Sequence, residues 1–150
     1  MLRGELGDTA FFRGIREYYR VYRDSTALSA DFERVMERAS GQDLSWFFRQ
    51  WLWQPGYPQL ACAWSYDTTA QRVRLRVSQT QSPAWGMFHL PEVTVELLGA
   101  GIREEVVRVR HTIAVTVRET EVTLDAPFAP TQVSVDPDGR LLLRATAVSP

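Results

Sequence analysis

The 150-residue chain predicts an α+β fold, a short N-terminal segment of about three helices followed by an antiparallel β-sandwich of about seven to eight strands. Three observations predict it. Up to about Trp53 the apolar residues recur at helical spacing. After Pro58 they alternate with polar ones, as in half-buried strands. Turn residues then punctuate the alternating part throughout.

The helical elements follow in order. "MLRGEL" reads as the tail of a helix that Gly7 ends, with Asp8 placed to cap the next one. In that helix Phe11, Ile15, Tyr18 and Tyr22 share a stripe, widened by Phe12 and Tyr19. Ser29 is the expected cap of a second helix, and Asp31 in its first turn suits the positive helix N-terminus. Phe32, Val35, Met36 and Ala39 form its inward face, and Ser40-Gly41 ends it. Asp43 caps a third helix, with Leu44, Phe47, Phe48, Trp51 and Leu52 on one face and Trp46 and Trp53 on another. Pro55-Gly56 stops that helix. So apolar a helix needs cover on two sides. Burying a large side chain is worth roughly 1.5–3 kcal/mol, whereas helix propensity contributes only tenths. Two-sided burial therefore explains the aromatics.

The strands come next. "RVRLRV" (72–77), "VTVEL" (93–97), "TIAVTV" (112–117) and "VSV" (133–135) alternate cleanly. "LACAWSY", "EEVVRVR", "EVTL" and "RLLL" are weaker strands. Turns fall at Asp67-Thr68, Pro83, Gly99 to Gly101, Pro127 with Pro130, and "DPDG" at 136–139. One polar face per strand favours an antiparallel, Ig-like sandwich. The chain thus divides into a helical part, 1–56, and a sandwich, 57–150, joined by a short junction that proline stiffens.

Composition excludes several function classes. The hydrophobic fraction is 45%, the charged fraction 23% and the net charge −1. The balance gives no field for nucleic acid or an anionic membrane, so neither partner is expected. No apolar run approaches the roughly 20 residues of a membrane span, and "MLRGELGD" lacks a signal peptide's apolar stretch. The single Cys62 forbids an internal disulfide and fits any redox compartment, which leaves localisation open.

Two segments carry a family resemblance. "MLRGELGDTAFFRGIREYY" and "DFERVMERASGQDLSWFFRQWLWQPGYPQL" resemble the end of the catalytic domain in M1-family (gluzincin) zinc aminopeptidases. The shared features are Met-Leu, a Leu-Gly-Asp turn, Tyr-Tyr, Asp-Phe, Ala-Ser-Gly, the Trp-Phe pair, a second Trp, and Gly-x-Pro leading into a strand. "VRLRVSQTQ" with "FHLPEVTVEL" is similar to the opening strands of the β-sandwich that follows in that family. The resemblance is specific over residues 1–60 and looser beyond about residue 100.

The resemblance implies a parent that removes N-terminal residues from peptides, with zinc as its cofactor. The family binds zinc through HExxH and a distant Glu, holds the substrate's amino terminus with a GxMEN-like strand, and places a Tyr beside the tetrahedral intermediate. None of these motifs occurs in the 150 residues. By the family pattern the tyrosine would lie a few helical turns before Met1. The expectation is a non-catalytic C-terminal piece that supports the catalytic domain. It has no catalytic residue, no metal ligand, no cofactor of its own and no assignable substrate-binding residue. The partner implied is the missing catalytic domain, packing on the helical end, and without it the piece should self-associate. The rival reading is a free-standing β-sandwich binding or adaptor module.

Several residues are candidates for independent chemistry. His89 and His111, with Glu92 or Glu104, make a conceivable zinc set, but they lack the i, i+4 placement that HExxH supplies. Surface or turn histidines are the better reading. Cys62 alternates with apolar neighbours and reads as buried and inert. Arg72, Arg74 and Arg76 form a basic row able to fork a carboxylate. Its plainer reading is a solvated face paired across strands with Glu92 and Glu96. Trp46, Trp53, Trp64 and Trp85 could serve as a sugar-stacking platform. Trp46 and Trp53 fit a core or interface better, and Trp85, between Pro83 and Gly86, is the candidate for an exposed contact. Neither a nucleophile elbow nor a glycine-rich phosphate loop is present.

Overall fold

The computed structural model describes residues 1–101 and 105–148. The chain splits into two compact units, Met1–Gln54 and Pro55–Pro150.

In the first unit, α1 (Leu2–Tyr22), α2 (Ser29–Ser40) and α3 (Ser45–Phe48) are followed by a π-helical turn, Arg49–Trp53. Gly7, at φ 71° and ψ 163°, breaks α1 into two helical runs. Only glycine takes that backbone cheaply. Asp8 does not cap the second run as expected; its carboxylate accepts two bonds from the Arg3 guanidinium, at 2.8 and 3.0 Å. The cap of α2 is Leu28 rather than Ser29, because Asp31 Oδ2 reaches back to accept from the Leu28 N–H at 3.0 Å. Gly41 closes α2 in the left-handed region at φ 73°. The cap of α3 is Leu44 rather than Asp43, which stands one residue earlier with its Oδ1 accepting from the Ser45 N–H at 2.9 Å.

Leu6, Met36, Leu44, Phe47 and Phe48 form the core of this unit. A Cβ on Gly14 would fall 2.4 Å from Met36 Sδ, so glycine is what lets α1 approach α2 there. Ring contacts run from Tyr22 through Tyr18, Phe32 and Phe48 to Phe47, with centroids 5.0–6.0 Å apart. Such tilted and edge-on spacing adds to burial.

The second unit holds seven strands among the described residues: β1 (Gln59–Asp67), β2 (Arg72–Gln79), β3 (Leu90–Ala100), β4 (Val106–Val115), β5 (Glu119–Asp125), β6 (Pro130–Val135) and β7 (Arg144–Val148). They make two sheets, ordered β5-β2-β1-β7 and β4-β3-β6. The pairings are antiparallel except β1 with β7, which is parallel. Alternation places Val73, Leu75 and Val77 of β2, and Val93, Val95 and Leu97 of β3, in full burial.

Two strand expectations change. Residues 104–110 and 112–117 were expected as separate strands, but β4 runs unbroken from Val106 to Val115. Val107, Val109, Ile113 and Val115 share one parity, and the register with β3 runs without a shift from Ala100↔Val106 to Val93↔Ile113. Glu104 lies outside the described residues. The expected strand at 140–143 is not one. Asp136 accepts from the Arg140 and Leu141 N–H groups, each at 2.9 Å, which holds that stretch in a turn. Pairing resumes at Arg144, whose N–H donates to Pro58 O at 3.0 Å.

Candidate functional site

The helical unit carries the feature most unlike a closed core. Around Arg49–Trp53 the helix widens, and the Gln54 N–H donates to Arg49 O at 3.0 Å, one residue further than an α-helix allows. Wide turns of this kind are rare and recur at functional sites. The extra residue re-aims the side chains. Leu52, expected one turn below Phe48 on the buried face, is 53% exposed, and Trp53 is 74% exposed. Trp51 stays half-buried with its ring 6.3 Å from Phe47. Trp46 packs on the same core, 5.7 Å from Phe47. Tyr19, Val21 and Leu28 of this unit are exposed as well. The helical residues thus present large apolar groups to solvent, and a helical period alone does not reveal that Leu52 is among them.

In the sheet unit the basic row lies in solvent, but its partners differ from those expected. Arg72 pairs with Asp125 at 2.9 Å, and Glu121 faces both Arg76 at 3.3 Å and Arg74 at 3.7 Å. Sheet order explains this, since β2 neighbours β5 and not β3. Glu92 is exposed on β3. Glu96 is buried and accepts from Arg110 Nε at 2.7 Å, while Arg110 also forks Asp138 at 2.9 and 3.1 Å. The two carboxylates hold the Arg110 guanidinium firmly charged.

His89 sits exposed just before β3, whereas His111 lies within β4 opposite Val95. His111 Nε2 is 2.9 Å from Asp125 O. Cys62 is buried in β1, and burial pushes its thiol up to about 11, which suits neither nucleophile nor metal ligand. Among the described residues no three His, Cys, Asp or Glu side chains converge on one point. No helix among them is long and apolar enough to cross a membrane.

Trp64 is buried in β1. Trp85, the residue expected to be an exposed contact, is half-buried, its ring 5.9 Å from Tyr57 and packed where a side chain on Gly56 would stand. Its loop is fixed by a buried amide pair. Gln79 donates to Phe88 O at 2.7 Å and accepts from the Phe88 N–H at 3.0 Å. Gln81 bridges Gln79 Oε1 at 2.9 Å and Gly86 O at 3.0 Å.

No family model matches the chain. Aminopeptidase N of Lactococcus lactis subsp. lactis is 38% identical over 68 residues, 45% of this chain. Aminopeptidase N of Haemophilus influenzae is 37% identical over 83 residues, and that of Escherichia coli 34% over 84 residues. The chain is related to the M1 aminopeptidases. It spans only 8–9% of the length of these relatives. The crystal structure of Legionella pneumophila aminopeptidase A in complex with aspartic acid superposes on 96% of this chain with a TM-score of 0.72. It is 14% identical and the match takes up 16% of its length, so the likeness shows the fold alone.

Proposed function

We propose that the chain is a non-catalytic C-terminal portion of an M1-like (gluzincin) zinc metallo-aminopeptidase, and that it supports the catalytic domain of that parent. The observation that carries the reading is the match of nearly the whole chain to a small share of an aminopeptidase structure, joined to relatives named aminopeptidase N. The parent would remove N-terminal residues from peptides, with the zinc held outside these residues. The described donors do not fit zinc: one histidine is exposed before β3, the other, in β4, lies against the Asp125 carbonyl of β5, and the lone thiol is buried. In this reading the two sheets form an Ig-like β-sandwich, a view supported by the one buried, alternating face on each.

The exposed Leu52 and Trp53 are the contact assigned to the rest of the parent. Burying side chains of that size stabilises a contact by roughly 1.5–3 kcal/mol each. The test is an antibody raised against this chain, used on an extract of the native cells. A single polypeptide several times longer than 150 residues, co-purifying with zinc and with aminoacyl-anilide hydrolysis, is the expected result. A free polypeptide of about this length, with none of it in the hydrolase fraction, overturns the proposal in favour of a free-standing module.

A further inference from the structure

The helical unit has a second feature that the aminopeptidase reading does not use. An open cleft of about 760 Å3 lies between α1 and α2. Arg13, Arg16 and Arg20 line one wall and Arg38 the other, over a floor of buried Val35 and Ala39. The first three recur at i, i+3 and i+7, which puts them along one stripe of α1 about 10 Å long. Glu17 is the one acidic residue in the lining. It is occupied by Arg20, which forks it at 2.7 and 3.0 Å. Arg13 donates to Ala39 O, tying its wall to the end of α2. Arg16 and Arg38 are exposed, and the charge of Arg38, with that of Arg20, helps hold the Glu17 carboxyl below its ordinary value.

Four guanidinium groups against one carboxylate make the cleft strongly positive on a chain whose net charge is −1. Guanidinium forks match carboxylates and phosphates alike. One feature chooses between them. The floor between the arginine walls is apolar, and inorganic phosphate has nothing to place there. We infer that the cleft is a binding site for an acidic peptide segment, with carboxylates on Arg16 and Arg38 and an apolar side chain on Val35 and Ala39.

Fluorescence polarisation with a fluorescein-labelled peptide of three Glu-Glu-Leu repeats tests this on the whole chain. A Lys-Lys-Leu repeat serves as the control, and inorganic phosphate and pyrophosphate as competitors. Saturable binding of the acidic repeat alone is expected. Reversing both charges (Arg16→Glu with Arg38→Glu) should weaken it about tenfold or more. The milder pair, Arg16→Gln with Arg38→Gln, should fall between, with circular dichroism checking that each variant is folded. Raising sodium chloride from about 50 to about 300 mM should weaken binding several-fold. Equal binding of the basic repeat, or an affinity that neither pair of substitutions changes, overturns the assignment. Displacement of the peptide by micromolar phosphate or pyrophosphate would make the cleft a phosphate site instead and would equally overturn it.

Discussion

The helical and sheet units bury their apolar residues by different routes. In the sheet unit alternation sends one side of each strand inward, and the long runs Val73–Val77 and Val93–Leu97 leave none of their inward residues exposed. In the helical unit the three helices do not enclose all their stripes. Phe12, Tyr19, Val21, Leu28, Leu52 and Trp53 all remain exposed. A sheet face has one inside, whereas an aromatic-rich helix has apolar groups around much of its girth. The sheet unit also exposes Val106, Val117 and Leu142, but none of its exposed large apolar residues, among the described ones, is aromatic, so the contact proposed for the rest of the parent is assigned to the helices.

The largest effects should come from the cores themselves. Phe48→Ala removes a ring that contacts both Phe32 and Phe47. It should cost about 3–5 kcal/mol, as for other buried aromatics. Leu97→Ala, in the centre of β3, should cost about 2–5 kcal/mol. Urea denaturation measures both. A Phe48 variant within about 1 kcal/mol of the parent chain would mean that the helical cluster is too loose to count as a core.

A smaller but sharper effect should come from Gln79. Replacing it with Ala removes two hydrogen bonds to the Phe88 backbone in a buried setting, a loss of about 1–3 kcal/mol. The same change takes one bond from Gln81, whose other bond, to Gly86 O, holds the end of the Pro83–Trp85 turn. Tryptophan fluorescence should therefore report a looser Trp85 environment. Loss of stability with no change in fluorescence would show that the loop holds without the amide pair.

Much of this was legible in the sequence, for physical reasons. The Gly7 break, the Gly41 stop and the strands around 72–77 and 93–97 follow from local chemistry: positive φ at glycine and a period of two. What failed depended on neighbours distant in sequence. The partners of Arg72, Arg74 and Arg76 are set by sheet order, which places β5 beside β2 and leaves Glu96 to Arg110. The final strand pairs in parallel with β1, so its short run at 144–148 carries no hairpin signal. Leu52 is the local exception: the π turn at Arg49–Trp53 departs from the uniform α-helical period and turns it outward. The arginine cleft had a readable half, the i, i+3, i+7 row on α1, but only the fold brings Arg38 across from α2.

The outward pair Leu52 and Trp53 should behave unlike either core. Leu52→Ser with Trp53→Ser should change stability by no more than about 0.5 kcal/mol, as at other exposed sites. Their effect should appear in association. The unaltered chain is expected to self-associate through its helical end, because exposed apolar patches find partners. The double substitution should shift it toward monomer in sedimentation velocity and lower its binding of a hydrophobic dye. Unchanged association would move the sticky surface elsewhere. A large loss of stability would mean that these side chains are part of the core.

The smallest effect is a pH dependence confined to the helical unit. Asp31 accepts from the Leu28 N–H at the start of α2, and that bond holds its carboxyl below the ordinary 3.8. The nearby Arg34, at 3.3 Å, pulls the same way more weakly. A carboxyl whose folded value is depressed adds stability above its unfolded value and loses it as the pH falls toward the folded one. The contribution is therefore fully present near neutrality and fades as the pH falls below about 4. Asp43, bonded to Ser45, shifts in the same direction and fades over the same window. Asp31→Asn keeps an acceptor for the Leu28 N–H but removes the charge, so it should flatten the acid limb while leaving the stability at neutral pH only slightly lower. Proton titration of the Asp31 carboxyl by NMR checks the direction without reference to stability. A midpoint above the ordinary aspartate value would show that Asp31 does not close the first turn of α2 in solution, and the acid sensitivity of the helices would then rest on Asp43, Asp8 and Glu17.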